Sequence, residues 1–160
     1  MKRLSIITAI ILAAAALMAS FQNCYACTGI TLHSADGATV TARTIDWAGN
    51  DLESRYSVVP RGYTQQSYVP GGLKEGMTFK AKYGYVGLAV EQEEFVVDGL
   101  NEAGLAAALF YFPDYGQYED YDPASKSATV SDLQLVSWIL SRFSTIDEVR
   151  EAISVIHVVT

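Results

Sequence analysis

Cys27, Arg43 and Asp46 are the residues of this chain whose types and spacing could carry chemistry. Cys27 follows a segment with the three zones of an export signal: Lys2 and Arg3, an apolar run from Leu4 to Met18, and a mildly polar stretch with small residues at Cys24 and Ala26. Cleavage after Ala26 would leave a chain that begins with cysteine and so carries a thiol and an α-amine on one residue. A cysteine thiol titrates near ~8.5 and an α-amine near ~7.7–8.0, so the amine can accept the thiol proton around neutral pH without a histidine. A nearby Arg43 guanidinium would favour the thiolate, and backbone N–H donors would stabilise a tetrahedral oxyanion. Nucleophile and base then occupy the same residue, an arrangement suited to acyl transfer with water resolving the acyl-enzyme.

Such a residue needs elements that bring Arg43 and Asp46 to it. Thr28–His33 reads as a strand, Ser34–Gly37 contains an Asp-Gly turn signal, and Ala38–Ile45 reads as the returning strand of a hairpin. The hairpin folds the chain back on its own start, placing Arg43 and Asp46 near Cys27. Strict alternation would put those two on opposite faces, so both serve one site only if the strand ends or bulges near Asp46. On position alone, each reads first as a surface charge or a structural ion pair.

Composition narrows the function classes. The 160 residues carry a net charge of −7, and removal of 1–26 with its two basic side chains takes this to about −9. An acidic chain lacks the basic footprint that nucleic acid requires. The fifteen-residue apolar run is shorter than the roughly 20 residues of a spanning helix, so stable membrane insertion is not expected after signal removal. Cys24 and Cys27 spell C-x-x-C, but the expected cut separates them, which leaves no zinc site, disulfide framework or other cofactor in prospect. Residues 27–160 are long enough for one domain with a real core, exported to a periplasmic or extracellular location.

Beyond the hairpin, Tyr56–Val59, Thr78–Tyr83, Tyr85–Val90, Phe95–Asp98 and Leu105–Phe112 read as strands of an antiparallel meander, with Glu91–Glu94 as a solvated turn and Gly99–Gly104 as another. Pro113–Ser127, with three tyrosines and four acidic residues, reads as an exposed loop, either an active-site wall or a disordered connection. Two helices follow. Ser131 can cap the first, with Leu133, Val136, Ile139, Leu140 and Phe143 as its stripe; Thr145 and Glu148 form a capping box on the second, whose Ile146, Val149, Ala152, Ile153 and Ile156 should be buried. His157–Thr160 looks like the start of a further strand.

Taken together, Cys-Thr-Gly at 27–29, "ARTIDWA" at 42–48, "KYG" at 82–84 and "DGLNEAGLAAALFYFP" at 98–113 resemble the choloylglycine hydrolase and penicillin V acylase family. The resemblance implies an α+β fold, the αββα sandwich of N-terminal nucleophile hydrolases, of which this chain would be the N-terminal part. It implies cleavage of the amide bond of a small N-acyl substrate, with Cys27 as nucleophile, Arg43 beside the thiol, Asp46 orienting the α-amine and the backbone N–H of Tyr111 in the oxyanion hole. Trp47 reads as a wall of the acyl pocket or a core aromatic. The family also uses a later Asn and a later Arg, neither of which lies within these 160 residues, and a homo-oligomer remains open. Tyr111 stands where many bile salt hydrolases carry Asn, which tilts the substrate toward penicillin V-like amides, with conjugated bile salts and acyl homoserine lactones open. Two other readings stand beside this one: an exported ligand-binding domain gripping its ligand through Tyr115, Tyr118 and Tyr121, and a cysteine protease pairing Cys27 with His33 or His157.

Overall fold

The computed structural model describes residues 27–46, 52–112 and 116–160. Trp47, the segment 1–26 and Tyr115 lie outside the described residues. The chain forms two compact units that divide between Gly49 and Asn50.

In the first unit, β1 (Gly29–His33) pairs antiparallel with β2 (Thr39–Arg43), with Gly29 opposite Arg43 and His33 opposite Thr39. The expected hairpin is present, with a shorter second strand. The Asp-Gly signal does its work through Gly37, whose φ of +87° is strained for an L side chain, while the Asp36 carboxylate accepts the Ala38 N–H at 3.2 Å and the Ser34 hydroxyl. The Ser34 bond, above all, holds the Asp36 carboxyl below its ordinary range. Alternation places Ile30, Leu32, Val40 and Ala42 on one face and Thr31, Thr41, Thr39, His33 and Arg43 on the other.

The second unit is built on a four-stranded antiparallel sheet, in the order β3 (Ser54–Val59), β6 (Tyr85–Val90), β7 (Val96–Asn101), β8 (Ala106–Ala108). Beside it, β4 (Thr64–Gln66) pairs with β5 (Thr78–Lys80). The short, polar β4 gave no periodic signal in the sequence, and β7 runs through Asn101 where a turn was expected from Gly99. Two further strands, β9 (Thr129–Ser131) and β10 (His157–Val159), pair in parallel across the two helices. The expected antiparallel meander is present in the main sheet, except that β5 leaves it to pair with β4; the β9–β10 pair is parallel, and the two helices supply the crossover that parallel strands need.

α1 (Leu135–Arg142) lies across the sheet with two apolar faces. Val136 and Leu140 join Tyr85, Ala89 and Val96, while Trp138 joins Phe79, Val130 and Ile156. Each such fully buried side chain is worth about 1.5–3 kcal/mol. Close approach depends on the facing pair Gly87 and Gly99: a Cβ on Gly99 would sit 2.7 Å from Leu140 Cδ1 and 2.6 Å from the Val86 carbonyl oxygen. Ser131 occupies the expected cap position, but a 3₁₀ turn (Asp132–Gln134) precedes α1 and the Ser131 hydroxyl caps no backbone N–H; it donates to Asp132 instead. The second helix, α2 (Ile146–Ile153), carries the expected capping box, with Thr145 Oγ1 accepting the Glu148 N–H and Glu148 accepting the Thr145 N–H. Its stripe is less buried than the periodicity implies. Ile146 and Ile153 are exposed, because only the Ala152 side of the helix packs against the second cluster. The opposite sheet face also exposes apolar side chains, Tyr56, Val58, Val86 and Leu100 among them.

Candidate active site

The open end of the hairpin gathers the predicted chemistry. The ladder continues one step past β1 and β2, where the Thr44 N–H donates to the Thr28 carbonyl at 2.8 Å. The return bond is made differently. The Thr28 N–H donates to Thr44 Oγ1 at 3.1 Å, and the Thr44 carbonyl accepts Arg43 Nε at 3.1 Å. This side-chain substitution ends the strand, as the sequence required if Arg43 and Asp46 were to share a site. Thr44 Oγ1 then donates to Asp46 Oδ2 at 2.8 Å, and the half-buried Cys27 directs its thiol to the Asp46 carbonyl at 3.7 Å. Arg43 lies opposite Gly29, on the face that alternation also assigns to Cys27, and Gly29 puts no side chain between them.

Thr44 is the residue of this hairpin end that the sequence reading missed. Its signal is the spacing Thr-x-Asp, in which a hydroxyl two residues before a carboxylate at a strand end can bridge that carboxylate to a neighbouring backbone.

The histidines are placed elsewhere. His33 sits at the turn end of β1, its Nδ1 3.1 Å from Thr39 Oγ1, and six extended residues separate it from Cys27, roughly 20 Å. That distance removes the Cys27–His33 pairing. His157, in the second unit, has its Nδ1 2.6 Å from Glu119 Oε2.

Tyr111 follows β8 in the second unit with an exposed side chain. The aromatic loop beyond it is tied down along the described part of its length. Glu119 meets His157, Asp122 Oδ1 accepts the Ala124 N–H at 2.9 Å, and Lys126 pairs with Glu75 at 3.2 Å. Burial pushes the Tyr118 phenol up, assisted by the Asp132 carboxylate its hydroxyl faces and by Tyr111.

The other two motifs serve the scaffold. Lys82 and Tyr83 donate their N–H groups to the Ser141 carbonyl near the end of α1, at 2.8 and 3.1 Å. The Glu102 carboxylate accepts the Gly84 N–H and Arg61 Nε, the Arg61 bond chiefly holding that carboxyl below its ordinary range. Asn101 spends all its capacity: Nδ2 donates to the Leu140 and Phe143 carbonyls, and Oδ1 accepts the Ala103 and Leu105 N–H groups. "KYG" and "NEAG" thus fasten the end of α1 to the turns of the sheet.

Residues 27–160 match the family of linear amide C-N hydrolases, choloylglycine hydrolase family. The chain belongs to that family. It is 31% identical over 127 residues to the bile salt hydrolase/transferase of Bifidobacterium longum subsp. longum, covering 79% of this chain and 38% of that protein. To the bile salt hydrolase/transferase of Clostridium perfringens it is 29% identical over 135 residues, 83% of this chain and 39% of that protein. A crystal structure of a Cys-to-Ala mutant of conjugated bile acid hydrolase from Clostridium perfringens superimposes with a TM-score of 0.67 at 25% identity, covering 83% of this chain and 39% of that one. The chain therefore has the α+β fold of these hydrolases and spans about two fifths of their length.

Proposed function

We propose that this protein is an exported amidase that hydrolyses an N-acyl substrate through Cys27 after removal of residues 1–26. The observation that carries the reading is the hairpin register, which sets Arg43 opposite Gly29 and brings the Cys27 thiol to the Asp46 backbone. Two comparisons support it. The family match opens on Cys27 itself. In the Clostridium perfringens enzyme, the two positions replaced in solved structures, a Cys-to-Ala and an Arg-to-Leu, are 16 residues apart, the separation from Cys27 to Arg43.

In this mechanism the α-amine of Cys27 takes the thiol proton, and the thiolate attacks the substrate carbonyl to form a C–S bond. A backbone N–H, the part the family resemblance gives to Tyr111, bonds the oxyanion, and the amide C–N bond breaks as the α-ammonium returns its proton to the leaving amine. Water then cleaves the thioester, releasing the acid and restoring the thiol. Arg43 stabilises the thiolate, and Asp46 orients the ammonium. The relatives' names make a conjugated bile salt the first substrate to offer; Tyr111 is the reason to offer penicillin V in parallel. No helix among the described residues is long and apolar enough to cross a membrane.

The test is amine release by the processed full-length protein. Cys27→Ser should lose roughly a hundredfold or more in kcat while staying folded, and a form retaining Ala26 should be inactive because its base is tied up in a peptide bond. Turnover by either variant at the wild-type rate rejects the mechanism.

A further inference from the structure

The hydroxyl of Thr44 holds two groups at once. It accepts the N–H of Thr28, the residue peptide-bonded to Cys27, and it donates to the carboxylate of Asp46. A backbone carbonyl in the same place could accept the first bond but could not donate the second. A serine or threonine hydroxyl does both, being donor and acceptor in one atom. The Thr44 backbone reinforces the link, since its N–H donates to the Thr28 carbonyl at 2.8 Å, so residues 28 and 44 are joined by two hydrogen bonds that fix their relative position. Asp46 is exposed and follows the end of β2. A carboxylate in that setting samples several rotamers unless a donor selects one.

We propose that Thr44 is a positioning residue that locks the Asp46 carboxylate in register with the first residues of the processed chain, so that the α-amine of Cys27 meets a fixed acceptor. This rests on the amidase reading for its kinetic consequence, but the geometry it names belongs to the hairpin alone. With the acceptor fixed, the amine is held in a single orientation toward the thiol. Without it, the amine rotates, and the proton transfer that makes the thiolate succeeds less often. Pre-orientation of this kind acts on the reacting state and leaves substrate affinity alone.

The test compares Thr44→Val, which keeps the shape and removes the hydroxyl, with Thr44→Ser, which keeps the hydroxyl. Both are made in the processed full-length protein. Thr44→Val should lower kcat roughly ten- to hundredfold, the span expected for one hydrogen bond to a charged group, with KM unchanged. Alkylation of Cys27 by iodoacetamide at pH 7 should slow in the same variant, and Thr44→Ser should restore both. A purely structural role would instead lower the thermal midpoint or raise KM, and the serine would rescue no pH-7 thiol reactivity. Thr44→Val with wild-type kcat and wild-type alkylation overturns the assignment while leaving the amidase reading to Cys27→Ser. A wild-type protein that releases no amine, but whose alkylation slows in Thr44→Val and recovers in Thr44→Ser, sustains the assignment and sinks the amidase reading.

Discussion

Asn101→Asp replaces one amide nitrogen by oxygen at constant shape, and the consequence can be worked from the bonds around it. Asn101 is 3% exposed. Its Nδ2 donates to the Leu140 carbonyl at 2.9 Å and to the Phe143 carbonyl at 2.7 Å, while Oδ1 accepts two N–H groups at 3.0 Å. The aspartate keeps the accepted bonds and loses both donated ones, a cost of about 2 kcal/mol at roughly 1 kcal/mol per net bond. It also sets a negative charge against the carbonyl end of α1, worth about 0.3–1 kcal/mol, and desolvates that charge. The total is about 3–4 kcal/mol at pH 7, in the diagnostic tail for single substitutions. The pH dependence follows with a definite sign. Burial and the facing carbonyls raise the new carboxyl above its unfolded value of ~3.9, so the folded state binds more protons than the unfolded one and stability falls as pH climbs from about 4. Protonation restores one donated bond, and the deficit is smaller at pH 4 than at pH 7. Urea denaturation of the processed full-length protein at both pH values measures it. A variant within about 0.5 kcal/mol of wild type at pH 7, or a deficit that grows on acidification, refutes the reasoning.

Two further perturbations bear on the scaffold. Gln134 is fully buried and accepts the Tyr68 N–H at 2.8 Å and the Ser67 hydroxyl at 3.0 Å, so Gln134→Leu orphans the Tyr68 N–H and should cost about 1–3 kcal/mol by the same denaturation measurement, whereas Ser67 can turn to other partners. Glu148 is held below its ordinary carboxyl range chiefly by the Ser144 N–H, with the Ser144 hydroxyl and Thr145 N–H assisting. A depressed folded pKa contributes stability above the unfolded value of 4.5 and loses it as pH falls through the folded value. Glu148→Ala should therefore speed amide exchange in the first turn of α2 near neutral pH, and the gap to wild type should close on acidification below 4.5; a gap that persists in acid rejects the carboxylate as its source.

Much of the hairpin was legible because its signals are local. Alternation in 28–33 and 38–43, and an Asp-Gly pair that only a positive φ accommodates, suffice to fold residue 43 back beside residue 27. The limit of β2 was not legible, since it is set by a side chain replacing a backbone acceptor at Thr44, a choice that needs the partner strand's Thr28 to be in place. The same holds for β4 and β9, which are short: β4 is held by its partner β5 and by Gln134, whose Nε2 donates to the Gln66 carbonyl, and β9 by Val130 packing with Phe79, Trp138 and Ile156. The stripe of α2 misled for the opposite reason: periodicity reports which residues share a face, not whether anything packs on it. Of the predicted site, Cys27, Arg43 and Asp46 gather at one hairpin end, Tyr111 belongs to the other unit, and Trp47 falls outside the described residues.

The four motifs divide by physical role, and the division explains why they recur as separate islands in the chain. Cys-Thr-Gly and Ala-Arg-Thr-Ile-Asp are the two arms of one hairpin end, where the proposed chemistry sits; Gly29 lies opposite Arg43, and the hydroxyl of Thr44 joins the arms. Lys-Tyr-Gly and Asn-Glu-Ala-Gly belong to the second unit. The Lys82 and Tyr83 N–H groups and the Asn101 amide are consumed by the Ser141, Leu140 and Phe143 carbonyls, while the Gly84 N–H goes to Glu102. Losing one of them should therefore act first on stability, and losing Thr44 first on the thiol. An Asn101→Asp protein that unfolds early yet keeps wild-type thiol reactivity while folded, beside a Thr44→Val protein with the reverse profile, is the pair of results this division requires; the two profiles coinciding would mean that the hairpin end and the α1 clasp are one cooperative element and that the division is wrong.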